Sequence, residues 1–334
     1  MKLNEYRVSR KHYIELLSSR RNILLIGSYK IGKTSLLKEF LEKNKGIVYV
    51  DFSKISINPE NFAVEFICKI AKQESLEKLY EKKSLFKGDF IEKINNELQK
   101  IKPDQKLLIE WAFSFADSLK TDLLIDNFDE FLGLNNYEQI KDIMSLFFSF
   151  KLPNVRFVLT SSSDLEKIFS GHNFLVEKIK NFDKKETKEL VVKIVGKVSD
   201  KVIKDIFELS NGYPYYVYSI CLRYKKIKDV KKAYSEDIFS EDGLIYNACK
   251  FEFFNSLSKA RGKTLLKTIL KVLSENNNLR LNEISKKIYR SSPVTQSLLL
   301  RLISVELIVK SDGRYTFANP VLKEWVKNYF LEDK

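Results

Sequence analysis

The chain has 334 residues, 44% apolar and 31% charged, with a net charge of +14, enough to bury a core in two or three structural units and to suggest an anionic partner. No apolar run nears the ~18 residues of a membrane span, and "MKLNEYRVSRKHY" lacks the apolar segment of a secretory signal, so a cytoplasmic protein is expected. The three cysteines, Cys68, Cys221 and Cys249, are too scattered for a disulfide framework or zinc site and read as small core residues, and the two histidines, His12 and His172, exclude a His-rich metal centre.

"NILLIG" (22–27) is a short apolar run of the kind that makes a strand buried on both faces. Gly27-Ser28-Tyr29-Lys30-Ile31-Gly32-Lys33-Thr34 follows, matching G-x-x-x-x-G-K-[ST], and "KTSLLKEFLEK" (33–43) then reads as an amphipathic helix. In that context the eight residues form a phosphate loop. Gly27 and Gly32 allow the turn and a close backbone approach. The amides from Ser28 to Ser35 point inward at a helix N-terminus, where anions are favoured. Lys33 reaches the β- and γ-phosphates, and the Thr34 hydroxyl is a ligand for Mg2+.

"IVYVDF" (47–52) is a second strand, residues 58–118 look helical with breaks near Gly88 and Pro103, and "DLLID" (122–126) is a third strand. Asp126, at its end, is the candidate magnesium-side carboxylate. Asn127 follows, then Asp129 and Glu130, either of which could orient water for hydrolysis; equally, acidic residues suit the first turn of a helix. "YEQIKDIMSLFFSF" (137–150) is predicted as a helix and "VRFVLTS" (155–161) as a fourth strand. Ser162, with Thr160 second, is the candidate polar group at its tip to report on the γ-phosphate; Thr and Ser capping a helix over 164–170 is the competing reading. Strands separated by helical segments predict a parallel α/β sheet over residues 1–180.

The strand signal then stops. "FDKKET" is the sequence form of a helix start, and residues 181–255 are predicted as a helical lid. From 256 to 334 come three helices, "KTLLKTILKVLSE", "RLNEISKKI" and "SPVTQSLLLRLISVE", a hairpin in "LIVKSDGRYTFA" and a closing helix, the order of a winged helix-turn-helix. Residues 257–334 carry 15 Lys and Arg against 7 Asp and Glu. The second helix of the pair (293–303) offers Thr295, Gln296 and Arg301, with Ser291 and Ser292 at its start. Lys286, Lys287 and Arg290 flank it, and Arg314 lies on the wing. These suit phosphate contacts on double-stranded DNA better than base reading. The alternative is a module that serves regulation or binds a protein partner.

Together "VSR" (8–10), "GSYKIGKT" (27–34), "LLIDNFDE" (123–130), "LTSSS" (159–163), "NGYPYYV" (211–217) and the winged-helix pattern resemble the P-loop ATPases found predominantly in archaea, within the STAND/AAA+-like group. The resemblance spans nearly the whole chain and implies a P-loop NTPase sheet, a helical lid and a C-terminal winged helix. It also implies ATP and Mg2+ as cofactors, Pro214 near the nucleotide base, Gly212 at the turn of the lid, and Arg10 in an N-terminal box walling the adenine. Tyr13 stands where the family tends to have Glu, Ser161 where its sensor has Gly, and Asn127 where hydrolytic relatives have Glu. The "D-x-x-D-E" spacing looks like the NACHT branch. Three functions follow as expectations: an ATP-binding switch with slow hydrolysis, a DNA-binding protein licensed by ATP, and a nucleotide-binding scaffold without turnover.

Overall fold

The computed structural model describes residues 6–71, 104–260 and 263–332; the predicted breaks at Gly88 and Pro103 lie outside them. The chain divides into a sheet unit, Arg10–Gly27 with Lys33–Lys178, and a helical unit, Met1–Ser9 with Ser28–Gly32 and Ile179–Lys334.

In the sheet unit, helix α1 (Lys11–Leu17) precedes β1 (Asn22–Ile26), α2 (Lys33–Lys43), β2 (Val48–Asp51) and α3 (Pro59–Ile70). Then come α4 (Gln105–Ser118), β3 (Leu123–Asp126), 3-10 turns over Phe128–Asn136, α5 (Ile143–Ser149), β4 (Phe157–Ser161), α6 (Glu166–Phe169) and β5 (Phe174–Lys178). The five strands lie in the order β2-β3-β4-β1-β5, all parallel. Four of them are the apolar runs of the sequence, fully or alternately buried. The fifth, "FLVEK", has only three apolar residues in a row, and its residues are half-buried or exposed.

The predicted helix over 137–150 begins late, at Ile143. Asp142 takes the N-cap, accepting from the Met144 and Ser145 amides at 3.1 Å each, and Asn135 accepts from the Ile143 amide at 2.7 Å. A cap satisfies amides that the helix itself cannot, so the start follows the aspartate rather than the apolar period. The core is largely phenylalanine: Phe52, Phe62, Phe66, Phe113, Phe128, Phe131 and Phe147 are packed with strand residues Leu123, Ile125, Phe157 and Leu159. Phe113 and Phe66 have ring centroids 4.8 Å apart. Bulky rings filling one sheet face fix the strand ends from which the site is built.

The helical unit starts with α7 (Lys184–Val195), whose predicted start holds: Asp183 and Glu186 form a reciprocal capping box. Next are α8 (Asp200–Ser210), α9 (Pro214–Ile227), α10 (Val230–Phe239) and α11 (Leu244–Lys259). The last segment is α12 (Lys263–Glu275), β6 (Leu279–Arg280), α13 (Leu281–Lys287), α14 (Ser292–Ser304), β7 (Ile308–Ser311), β8 (Arg314–Phe317) and α15 (Pro320–Glu332). This is the predicted winged-helix order. Its hairpin turns on Asp312 and Gly313, both at positive φ, and the short β6 adds a third strand. Within the unit this segment is tied to the preceding helices by Tyr234 Oη donating to Glu324 at 2.7 Å and Asn319 Nδ2 donating to Tyr216 Oη at 3.0 Å. No helix among the described residues is long and apolar enough to cross a membrane.

Truncating a ring in the phenylalanine core leaves a cavity that neighbouring rings cannot refill. Phe113→Ala is expected to lower the unfolding free energy by about 3–5 kcal/mol, read from urea denaturation. The exposed Leu300→Ala is expected to change it by less than about 0.5 kcal/mol.

Candidate functional site

In open parallel sheets ligands bind beyond the carboxyl ends of the strands, and the sequence-predicted residues of the sheet unit gather there. The Gly27 amide donates to the Ser161 carbonyl at 3.1 Å, so β1 and β4 stay paired to the start of the loop. Lys33, the first residue of α2, is buried, and its ammonium donates to the Gly27 carbonyl and to Ser162 Oγ, the latter at 3.0 Å. Ser162 therefore faces the Lys33 ammonium. Ser35 follows in the first turn of α2, half-buried.

Asp126 is fully buried and is held by three hydroxyls. Thr34 Oγ1 donates to Oδ2 at 2.6 Å, Tyr49 Oη donates to the same oxygen at 3.0 Å, and Thr160 Oγ1 donates to Oδ1. A buried carboxylate is costly unless its lone pairs are satisfied, and these donors come from α2, β2 and β4. Burial, then the charge of Asp126, pushes the Tyr49 phenol above its ordinary range, so it stays protonated as a donor. The paired oxygens of Thr34 and Asp126 are of the hard type that would hold a divalent cation such as Mg2+.

Asp129 and Glu130 open the 3-10 turns, not an α-helix. Asp129 is buried and its Oδ1 accepts from the Ser162 amide at 3.0 Å, which fixes the tip of β4. Glu130 is half-buried, with its amide donating to the Asn127 carbonyl at 3.1 Å. Asn127 adopts the left-handed conformation, with φ of 56°; its amide donates to Thr160 Oγ1 at 3.1 Å and its Nδ2 to Asp51 Oδ1 at 2.8 Å.

Asp51 is the residue that sequence reasoning passed over. It ends β2 in register with Asp126 at the end of β3. The signal was there: "VYVD" terminates on aspartate at the same point of its strand as "LLID". Besides Asn127, Asp51 accepts from the Ser53 amide at 3.1 Å and Ser53 Oγ at 2.7 Å, and pairs with Lys54 at 3.2 Å. Burial raises the pKa of its carboxyl, but the hydrogen bonds from Ser53, Asn127 and Lys54 outweigh that and hold it below the ordinary carboxylate value.

The five tip residues of the loop, Ser28–Gly32, pack as part of the helical unit. Ser28 Oγ donates to Tyr213 Oη at 3.3 Å. Tyr29 stacks on Phe251 with centroids 5.2 Å apart, and Lys30, at φ of 64°, lies 4.8 Å from the Tyr29 ring centroid and 4.5 Å from that of Tyr215. Burial lowers the Lys30 pKa and, with Tyr215 and Glu252, raises that of Tyr29 to about 12. Ile31 is buried and Gly32 has φ of 102°, a conformation L side chains rarely adopt.

Pro214 occupies the first turn of α9 behind Tyr213. Gly212 has φ of 67°, and a Cβ there would lie 2.3 Å from the Phe182 carbonyl oxygen, so only glycine allows this turn. Arg10 stands at the N-cap position of α1 without a side-chain capping bond, and its guanidinium lies over the Tyr13 ring at 4.9 Å. In the winged-helix segment two groups are turned inward: Thr295 is buried and donates to the Ser291 carbonyl, and Arg301 donates to the Ala260 carbonyl. Arg314 is exposed and donates to the Asn278 carbonyl at 2.8 Å. Lys286, Lys287 and Arg290 are exposed, as is Gln296.

The fold is shared with the Walker-type ATPase PABY2304 of Pyrococcus abyssi, at 20% identity over 95% of this chain and 94% of that one, with a TM-score of 0.69. Weaker likenesses are to the Aeropyrum pernix ORC1 protein solved with DNA, at 10% identity over 98% and 95% of the chains with a TM-score of 0.47, and to the STAND protein PH0952 of Pyrococcus horikoshii, at 15% identity over 100% and 47% with a TM-score of 0.44. No family model matches the chain, and no curated protein matches it significantly. The sheet unit has the P-loop NTPase architecture expected from its sequence.

Asp126→Ala strips three hydroxyls of their common acceptor. It is expected to cost about 2–4 kcal/mol of stability in chemical denaturation. Asp126→Asn keeps an acceptor and is expected to cost less, while still weakening any magnesium-dependent nucleotide binding.

Proposed function

We propose that this protein binds ATP with Mg2+ and acts as a slowly hydrolysing molecular switch, its nucleotide state setting the orientation of the lid and winged helix. One observation carries this reading: Lys33 donates to both the Gly27 carbonyl and Ser162 Oγ, while Thr34 beside it donates to the buried Asp126. A γ-phosphate drawing on Lys33 would compete with Ser162 for it, so its presence would be felt at the tip of β4.

In this reading Lys33 neutralises the β- and γ-phosphates and Thr34 with Asp126 holds the magnesium, which screens the phosphate charge. Ser162, already on the Lys33 ammonium, senses the γ-phosphate, with Thr160 behind it on Asp126. Asp129 serves through Ser162 rather than on water, since its carboxylate accepts from the Ser162 amide. Glu130 is one candidate in that segment for orienting water. Arg10 and Pro214 are the adenine-side candidates.

Lys33→Ala is expected to weaken ATP binding at least tenfold and to abolish phosphate release, measured by calorimetric titration and a steady-state phosphate assay. ATP binding by the wild-type protein with no phosphate release above background would replace the switch by a scaffold without turnover.

A second reading, an ATP-licensed DNA-binding protein, is favoured by one surface. A concavity of about 530 Å³ is lined by Asn282, Ser285, Lys286, Tyr289, Arg290, Ser291 and Ser292, with Tyr289 86% exposed. Cations around an exposed ring suit a nucleic-acid backbone. In this reading duplex binding weakens steeply with salt, and Lys286→Ala/Lys287→Ala/Arg290→Ala lowers the slope of log K against log salt by up to about 3 in fluorescence anisotropy. No binding at low salt removes it and leaves a protein partner for the winged helix.

A further inference from the structure

The position after Asp126 holds an amide, and an amide cannot take a proton from water. Asp126 itself is committed on both oxygens to Thr34, Tyr49 and Thr160. Asp129 is committed to the Ser162 amide. The side chain of Asn127 nevertheless ends on a carboxylate, because its Nδ2 donates to Asp51 Oδ1 at 2.8 Å. Asp51 and Asp126 are register partners on adjacent parallel strands, which places their Cα atoms about 4.8 Å apart along the edge where ligands bind. Asp51 Oδ1 takes the Ser53 and Asn127 donors, while Oδ2 meets Lys54, whose side chain is 71% exposed, a weak surface pair that an incoming water can replace.

We propose that Asp51 is the water-orienting carboxylate of ATP hydrolysis in this chain, with Asn127 as the positioning residue that holds it. The proposal rests on the nucleotide reading above. Carboxylate and amide are divided between β2 and β3, so the charge missing at position 127 is supplied by the neighbouring strand. In the step, Asp51 accepts a hydrogen bond from a water. The water oxygen forms a bond to the γ-phosphorus as the β–γ bridging P–O bond breaks, its electron pair leaving on the β-phosphate oxygen of ADP. The water proton passes to Asp51 and from there to the phosphate product.

The test compares single-turnover and steady-state hydrolysis with ATP affinity in the full chain. Asp51→Asn keeps an N-cap acceptor for the Ser53 amide, so the fold is retained. The variant is expected to lose turnover about 100-fold or more while ATP affinity stays within about threefold. Asn127→Gly, which tolerates the left-handed backbone, is expected to lower kcat about tenfold with KM unchanged, as befits a positioning residue. The exchange Asp51→Asn/Asn127→Asp returns a carboxylate to the same amide–carboxylate pair, and is expected to recover at least tenfold of the activity lost in Asp51→Asn. Wild-type turnover in Asp51→Asn, or equal loss of binding and turnover, overturns the assignment. So does loss of turnover in Glu130→Gln with Asp51→Asn unimpaired. Failure of the wild-type protein to bind ATP is a separate result, and overturns the nucleotide reading itself.

Discussion

The site depends on one buried carboxylate. Asp126 has no exposure to water and survives as an acceptor because hydroxyls from three elements converge on it. Those three hydroxyls come from α2, β2 and β4, so satisfying one charge aligns the strand ends around it. Lys33 and Asp129 extend the arrangement through Ser162.

Within the helical unit the residues Ser28–Gly32 are held differently: Tyr29 stacks on Phe251, and Lys30 lies over the Tyr215 ring. Stacking and cation–π contacts are each worth about a kilocalorie.

Most of this was legible in the sequence where a residue's neighbours along the chain determine its state. Buried strands show as apolar runs, the phosphate loop shows as spaced glycines before Lys33 and Thr34, and the Asp-Gly pair marks the hairpin. What the sequence concealed is relational. The strand over Phe174–Lys178 has too few apolar residues to stand out, and its place is set by pairing with β1, about 150 residues earlier in the chain. The late start of the helix at Ile143 depends on a cap that competes with apolar periodicity. Thr295 and Arg301 looked like groove contacts by type, and packing turned them inward. Asp51 was visible as a letter, but its meaning comes from a partner 76 residues away.

The backbone at Asn127 carries a consequence for how this chain could change. With φ of 56° the position favours asparagine, aspartate or glycine over every other L residue. Glutamate, with its longer stem and no local hydrogen bond to compensate, is disfavoured there before any question of chemistry arises. A glutamate after Asp126 would carry the cost of the left-handed region, or would bend the strand end and break the Asn127 amide's bond to Thr160. Exchanges at this position are limited by conformation first.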